Sequence, residues 1–273
     1  MPTEKAEAHE KSDVETNLEA LQGCRKSVQS TLSHRVQARF ATAEELKDPS
    51  KLAVGSKLCH FIRHGEGEHN VAQREWRSDP KWDGTSEPYT LDTDLDLRYL
   101  DAKLTEKGLG EARALQNATA ALKTQLLVVS PMRRATSTGL LAFESHIKRG
   151  ELPVLAHEFC HERAGKHTCD KRLTKAELAK AYPMVDYSHV TAEEDPYWSD
   201  GLTREPWQMV ALRSARFVEW LLYKRPEKEI AVAAHSAFLL STFNGMLDCA
   251  DEAVSHWFGT GEMRSVVLTP DPR

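Results

Sequence analysis

Short and almost continuous apolar runs are the feature of this sequence that most constrains its fold. Such runs are too short for buried helices and are typical of strands that are covered on both faces. They occupy residues 57–62, 125–129, 153–155, 229–234 and 265–268. Helical patterns separate them, over residues 104–122, 130–142 and 207–223. This alternation predicts an α/β fold, a three-layer α/β/α sandwich with a mostly parallel central sheet.

The N-terminal region has a different pattern. Residues 1–50 are polar and compatible with helix, and a loose apolar stripe runs through residues 14–39. We predict a frayed tail over residues 1–12, followed by one or two helices on the surface of the domain. The predicted organisation is therefore a helical N-terminal extension, residues 1–50, and one α/β domain, residues 51–273. A packing role for the extension is favoured over a capping role.

Two connections are long for a compact domain, and both carry aromatic residues. They span residues 73–100 and 182–206. Long connections of this kind are often binding loops or lids, but they can also be surface elaboration. The sequence leaves both interpretations open.

Charge and composition narrow the classes of partner. The net charge is −5, from 36 Lys and Arg against 41 Asp and Glu, which argues against a protein that binds nucleic acid by charge. No apolar run reaches the roughly 18 residues of a membrane helix, and the N-terminus is too charged for a secretory signal. Five cysteines then indicate reduced thiols, so we expect a cytoplasmic protein with no membrane partner. Oligomeric state is not determined by the sequence.

Basic side chains follow three of the apolar runs. Arg63 and His64 end the first run, Arg134 follows the second, and His235 follows the fourth. Because ligands bind at the carboxyl ends of parallel strands, these four side chains are expected to converge. Two arginines and two histidines form an anion site, and Gly65 permits close approach of the backbone to a phosphate.

Four motifs in order resemble the histidine phosphatase superfamily, in its phosphoglycerate-mutase-like branch, branch 1. They are RHGEGEHN at 63–70, DAKLTEKG at 101–108, SPMRRATST at 130–138 and AHS at 234–236. The resemblance covers roughly residues 57–270, so residues 51–273 are predicted to be a catalytic domain of this kind. It implies a metal-independent phosphatase with no cofactor, acting on a small phosphorylated substrate.

The resemblance also implies roles for individual residues. His64 would be the nucleophile and form a phosphohistidine, which divides one difficult displacement into two easier ones. Arg63, Arg134, His235 and Asn70 would contact the phosphate, and His235 would also take part in catalysis. The second arginine of the family precedes the position of Ala135, which selects Arg134 and leaves Arg133 as a solvated helix residue.

A proton donor is needed for the leaving oxygen. Members of the other branch have an acidic residue directly after the second histidine, where this sequence has Ser236. The resemblance therefore places the acid within residues 157–165, and Glu162 is favoured over Glu158. Either carboxylate could instead be solvated or be a partner of Arg163.

Several alternatives stay open at this point. A phosphoglycerate mutase would keep the phosphohistidine, but residues 71–76 do not resemble the continuation found in mutases. A non-catalytic phosphate-binding scaffold would be expected to have lost part of the arginine and histidine set. Five His and Cys residues crowd positions 157–169, yet their spacings lack the paired ligands of structural zinc sites, so no metal is predicted. A basic group could hold a second substrate anion or face solvent: Lys166, Lys171, Arg172 and Lys175.

Overall fold

The computed structural model of the protein describes residues 4–271, with side chains from residue 13 onward. In this part of the chain eight strands form one sheet: β1 (Arg35–Phe40), β2 (Lys57–Arg63), β3 (Leu126–Val129), β4 (Val154–His157), β5 (Val185–His189), β6 (Glu229–Ala234), β7 (Asp248–Cys249) and β8 (Met263–Asp271). The α-helices are α1 (Glu4–Thr31), α2 (Ala43–Lys47), α3 (Glu68–Ser78), α4 (Glu106–Ala114), α5 (Gln116–Thr119), α6 (Arg133–Ala142), α7 (Glu144–Lys148), α8 (Lys175–Ala181), α9 (Trp207–Tyr223), α10 (Ser236–Gly245) and α11 (Glu252–Ser255).

The sheet is mixed but mostly parallel, in the order β5-β4-β3-β6-β2-β8-β1-β7. Only β8 runs antiparallel to its neighbours among the described strands, and it lies between β2 and β1. The carboxyl ends of β3, β6 and β2 are adjacent because these three strands pair in parallel. The predicted convergence of the residues that follow them is a direct result of this order.

Alternate residues of the central strands face two separate cores. On one face, Phe61 and Val232 pack with α1, α9 and α10. On the other, Ile62 and Ala233 pack with residues of α6 and α8. Since side chains alternate along a strand, both faces of the sheet are buried, which explains the continuous apolar runs in the sequence. The three-layer α/β/α prediction is confirmed.

Some local predictions need correction. The helix expected to extend to residue 39 ends at Thr31, and β1 follows. Val36 and Ala38 alternate with exposed neighbours, and this period of two fits a strand and not a helix. The tail predicted over residues 1–12 is helical from Glu4 onward, and its first three residues lie outside the described part. The helix predicted over 104–122 is divided into α4 and α5 at Leu115.

The boundary predicted near residue 50 stays a prediction, although β1, on its N-terminal side, hydrogen-bonds to β8. All five cysteines are free thiols. Within residues 4–271, no helix has both the length and the apolar character needed to cross a bilayer.

Candidate active site

His64 lies directly after β2 and is 1% exposed. Its Nδ1 is 2.7 Å from the carbonyl oxygen of Gly65, which can only accept, so Nδ1 carries the proton. Burial, and then the charges of Arg134 and Arg63, hold the pKa of His64 well below its usual value. The imidazole is therefore neutral, and the lone pair is on Nε2. Arg134 Nε lies 3.3 Å from that atom.

The loop after His64 is held by close backbone contacts. A Cβ on Gly65 would lie 2.4 Å from the carbonyl oxygen of Gly108, so only glycine fits there. The Gly65 N–H donates to Thr138 Oγ1 at 3.0 Å, and the Glu66 N–H donates to Glu111 at 2.8 Å. These contacts fix the direction of the His64 ring relative to α4 and α6.

Arg134 is fully buried in the first turn of α6. Its guanidinium donates to the carbonyl oxygen of Cys169 at 2.6 Å and to Asp170 Oδ1 at 2.9 Å, which leaves Nε directed at His64. Burial alone would raise the pKa of Asp170, but Arg204 and Arg134 hold it well below its usual value. Asp170 is therefore an anion that orients the Arg134 guanidinium.

His235 follows β6 as the N-cap residue of α10. Its ring centroid lies 5.2 Å from that of His64, and its Nε2 is 2.8 Å from Ser130 Oγ. Burial, and then Arg134 and His64, lower the pKa of His235, so this imidazole is also neutral. The helix predicted to begin at residue 130 begins at Arg133, and the hydroxyl of Ser130 orients His235.

Glu162 brings a second carboxylate, besides Asp170, to this edge of the sheet. Its carboxylate accepts from the N–H groups of Ala237 and Phe238, at 3.3 and 3.2 Å, in the first turn of α10. It also lies 3.4 Å from the Ser236 hydroxyl. The carboxylate is thus held beside the helix that His235 caps.

Glu158 does not reach the site. Its two oxygens accept from Nε and Nη2 of Arg172, at 2.9 and 3.0 Å. Arg172 also donates to the carbonyl oxygens of Ala192, Glu193 and Glu194, so it ties down the connection over residues 182–206. Arg172 is therefore neither a substrate contact nor a solvated residue.

A cavity of about 480 Å³ opens at this edge of the sheet. Its walls include Arg63, His69, Asn70, Glu162, Arg204 and Ser236. Arg63 Nη1 donates to the carbonyl oxygen of Phe258 at 2.6 Å. Asn70 Oδ1 accepts from the Gly67 N–H, so only its amide nitrogen can donate to a ligand. We call this space the site cavity.

Helix α1 also contributes to the site cavity, through Asp13 and Asn17. Asn17 accepts a hydrogen bond from the Trp207 indole at 3.0 Å, and the Trp207 ring stacks against the Arg163 guanidinium, 4.4 Å from its centroid. Burial, and then Arg204, lower the pKa of Arg163 to about 10. The N-terminal helix is thus connected to the wall of the site as well as packed on α9.

One other basic residue differs from expectation. Arg133 was predicted to be solvated, but it is partly buried and donates to the carbonyl oxygens of Leu100 and Asp101, at 2.8 Å each. Its role is to anchor the connection over residues 73–100. Among the remaining lysines of the basic group, Lys166 lines the site cavity and Lys171 Nζ lies 5.8 Å from the Trp198 ring.

Possible metal ligands are concentrated in one place among the described residues. Donor atoms of His167, Cys169 and Asp170 lie within 4.8 Å of one another. Asp170 is already bound by two arginines, whose charges oppose a cation. The other residues of the zinc alternative are occupied elsewhere, with His161 Nε2 3.0 Å from Asp195 and Cys160 donating to the carbonyl oxygen of His157.

The structure brings His64, Arg134, His235 and Glu162 to one edge of the sheet, with Arg63 and Asn70 on the cavity wall. Sequence reasoning missed three residues that orient them or lie beside them: Asp170, Ser130 and His69. Asp170 acts through a contact between distant segments, for which one sequence carries no pattern. Ser130 belongs to the SPMRRATST motif, but the motif does not indicate that its hydroxyl contacts His235. His69 was visible inside the RHGEGEHN motif but was not weighed as a site residue.

Comparison with known proteins identifies the same family as the four sequence motifs. The model of the histidine phosphatase superfamily, branch 1, matches residues 96–271. A "Phosphoglycerate mutase-like protein" from Arabidopsis thaliana is 31% identical over 246 residues, covering 78% of this chain and 84% of the relative. A "Probable phosphatase" from Schizosaccharomyces pombe is 27% identical, covering 66% and 74%. The crystal structure of the alpha-ribazole phosphatase from Shigella flexneri is 18% identical with a TM-score of 0.47, covering 79% and 96%.

Proposed function

Because the chain belongs to branch 1 of the histidine phosphatase superfamily, we propose that it hydrolyses phosphomonoesters through a phosphohistidine on His64. The observation that carries the proposal is the state of that imidazole. Its proton is held on Nδ1 by the Gly65 carbonyl oxygen, and Nε2 faces the Nε of a buried arginine. A neutral imidazole with a directed lone pair is the form that can attack phosphorus.

In the first step, Nε2 of His64 forms a bond to phosphorus as the ester oxygen leaves. Arg134 Nε, which already lies 3.3 Å from Nε2, stabilises the charge on the phosphoryl oxygens. Arg63, on the cavity wall, and His235, directly after β6, stabilise the same charge. Glu162, as the carboxylic acid, gives its proton to the leaving alkoxide.

In the second step, water attacks the phosphohistidine. Glu162, now a carboxylate, takes a proton from that water, and the N–P bond breaks to return neutral His64 and inorganic phosphate. Asp170 keeps Arg134 oriented through both steps by its 2.9 Å contact. These residues supply a nucleophile, cationic donors and an acid, which is a complete set for metal-independent hydrolysis.

The test is phosphate release from an aryl phosphate, in the presence of chelator, by the wild type and His64→Ala. Loss of the nucleophile is expected to lower kcat on the order of 10⁶-fold. His146→Ala is a matched control, because His146 is also buried but bonds the carbonyl oxygen of Leu122, away from the site. Activity of His64→Ala within tenfold of wild type would contradict the proposal, provided that both variants melt near the wild-type temperature.

A mutase would carry the same phosphohistidine, and the names of several relatives refer to phosphoglycerate mutase. With labelled phosphoglycerate as substrate, hydrolysis releases inorganic phosphate, whereas a mutase returns the label to an isomer of the substrate. Label trapped on histidine together with net phosphate release is expected. Isomerisation without release would replace phosphatase by mutase, and no trapped label would favour a binding scaffold.

A further inference from the structure

A second buried imidazole beside His64 has no assigned task in the mechanism above. His69 is 8% exposed, and its ring centroid lies 5.6 Å from that of His64. Its Nδ1 is buried without a hydrogen-bond partner. Among the residues that the structure describes, the only other imidazole nitrogen in this condition is Nδ1 of His235, which also flanks His64, at a centroid distance of 5.2 Å.

The ring of His69 is held in place by the backbone in front of it. His69 is the second residue of α3, and its side chain turns back over Gly67, the N-cap residue. A Cβ on residue 67 would lie 2.6 Å from both Nδ1 and Cε1 of His69, so glycine is required for the ring to occupy this position. On its other side, the ring lies 6.4 Å from that of Tyr89 in an edge contact.

This placement is costly for a residue that only packs. A buried polar atom without a partner costs roughly 1–3 kcal/mol, and an apolar ring would fill the same space without that cost. Because Nδ1 and Cε1 lie against Gly67, Nε2 is the nitrogen left for a ligand in the site cavity, whose wall includes His69. Burial, and then Arg134, lower the pKa of His69, so it is a neutral donor with one N–H.

We propose that His69 is a catalytic residue whose Nε2–H donates a hydrogen bond to the phosphoryl group transferred to His64. This inference rests on the proposed function, which supplies the phosphoryl group. A phosphoryl group on Nε2 of His64 extends its oxygens into the space between the flanking rings. His69 then stabilises the charge that develops on one oxygen, beside the donors on Arg134 and His235.

Three substitutions separate hydrogen-bond donation from packing. The amide nitrogen of His69→Gln reaches the position of Nε2, that of His69→Asn reaches only the position of Nδ1, and His69→Phe keeps the ring without a donor. Loss of one donor to the transition state is expected to lower kcat about 100-fold in the Phe and Asn variants. The Gln variant should stay within about tenfold of wild type. His146→Phe is the control for the loss of a buried histidine.

Vanadate affinity, measured by calorimetry, tests the same contact without turnover. We expect vanadate to bind His69→Phe about 100-fold more weakly than wild type and His69→Gln nearly as well as wild type. The inference is overturned if the Phe and Asn variants keep kcat and vanadate affinity within threefold, or if Gln loses as much as Phe. It is also overturned if wild type does not bind vanadate.

Failure of the proposed function gives a different result. If wild type takes no label on histidine while vanadate binding still depends on His69, the phosphohistidine is wrong and the contact between His69 and the oxyanion stands. If wild type takes label and the His69 variants form and lose it at wild-type rates, the phosphohistidine stands and the role of His69 is wrong.

Discussion

Two glutamates lie at the ends of the short segment that follows β4, and the structure gives them opposite surroundings. Glu158 and Glu162 are both 6% exposed. Glu158 is bound by both ends of the Arg172 guanidinium fork, and Glu162 accepts two N–H groups from the start of α10. The first carboxylate is neutralised by a buried cation, whereas the second is bound by backbone donors next to His235.

The two glutamates have the same residue type and the same exposure, so these properties do not distinguish their roles. The hydrogen-bond partners of each carboxylate do. A carboxylate bound on both oxygens by one arginine cannot exchange a proton without breaking an ion pair. A carboxylate at a helix N-terminus, on the wall of a cavity, can. Substitutions along this segment can therefore separate catalysis from stability.

Among substitutions in this segment, Glu162→Gln is expected to have the largest effect on activity. Without the carboxylic acid, formation of the phosphoenzyme from an alkyl phosphate should slow about 10³-fold, because the leaving alkoxide receives no proton. With 4-nitrophenyl phosphate, whose leaving group needs no proton, the loss should be smaller. Rapid-mixing measurements of the burst phase with both esters check this.

The dependence on the leaving group is the decisive comparison for Glu162. An equal loss with both esters would assign Glu162 to positioning instead of proton transfer. Glu158→Gln is the matched control, because it removes the same group four residues away and should leave the burst rates of the folded protein within threefold.

Glu158→Gln is expected to act on stability instead. It breaks a buried ion pair whose arginine side chain is 0% exposed, and removal of one partner costs about 3–5 kcal/mol of unfolding free energy. Urea unfolding of both Gln variants checks this, and Glu162→Gln should lose clearly less. If Glu158→Gln and Glu162→Gln lose the same free energy of unfolding, the ion pair of Glu158 does not stabilise the protein more than the backbone contacts of Glu162.

His161, in the same segment, should give an effect that is seen only as a dependence of stability on pH. Burial opposes its charge, but Asp195 at 3.0 Å raises the pKa of His161 to about 9. The ordinary value is 6.5, so the unfolded state loses its proton first. The stabilisation is complete below pH 6.5 and decreases by about 1.4 kcal/mol per pH unit up to about pH 9.

Urea titrations across this range check the prediction, and His161→Gln should remove that slope. His157, the last residue of β4, is a control of opposite sign, because burial lowers its pKa to about 3. In the unfolded protein His157 binds a proton that it does not bind in the folded protein. His157 therefore lowers the free energy of unfolding as the pH falls from 6.5 to about 3. If the unfolding free energy of His161→Gln still decreases between pH 6.5 and about 9 as it does in the wild type, another group causes the effect.

The central residues of the site could be predicted from the sequence because each follows a strand directly or within a few residues. His64 and His235 come immediately after β2 and β6, and the parallel pairing of the central strands brings them together. The same reasoning found Arg134 a few residues after β3. The roles assigned to these residues remain predictions until the variants are measured.

The residues that orient the site could not be predicted, because their contacts join distant segments. Asp170 becomes the partner of Arg134 only when the loop that carries it folds across α6. Arg172 looked like a possible substrate contact until its partner, Glu158, was known. Likewise, a period of two over only six residues did not distinguish β1 from the end of a polar helix.

The position of β8 has a consequence for how the chain is made. β1 is joined to the rest of the sheet through β8, and Gln37 pairs with Asp248 on one side and Thr269 on the other. The ribosome delivers β1 long before either partner, so the nascent chain carries this strand unpaired through most of its synthesis. The edge of β2 that β8 later covers also stays open. β8, the last strand of the described chain, therefore completes the sheet. The edges of β1 and β2 that pair with β8 stay exposed until β8 has left the ribosome.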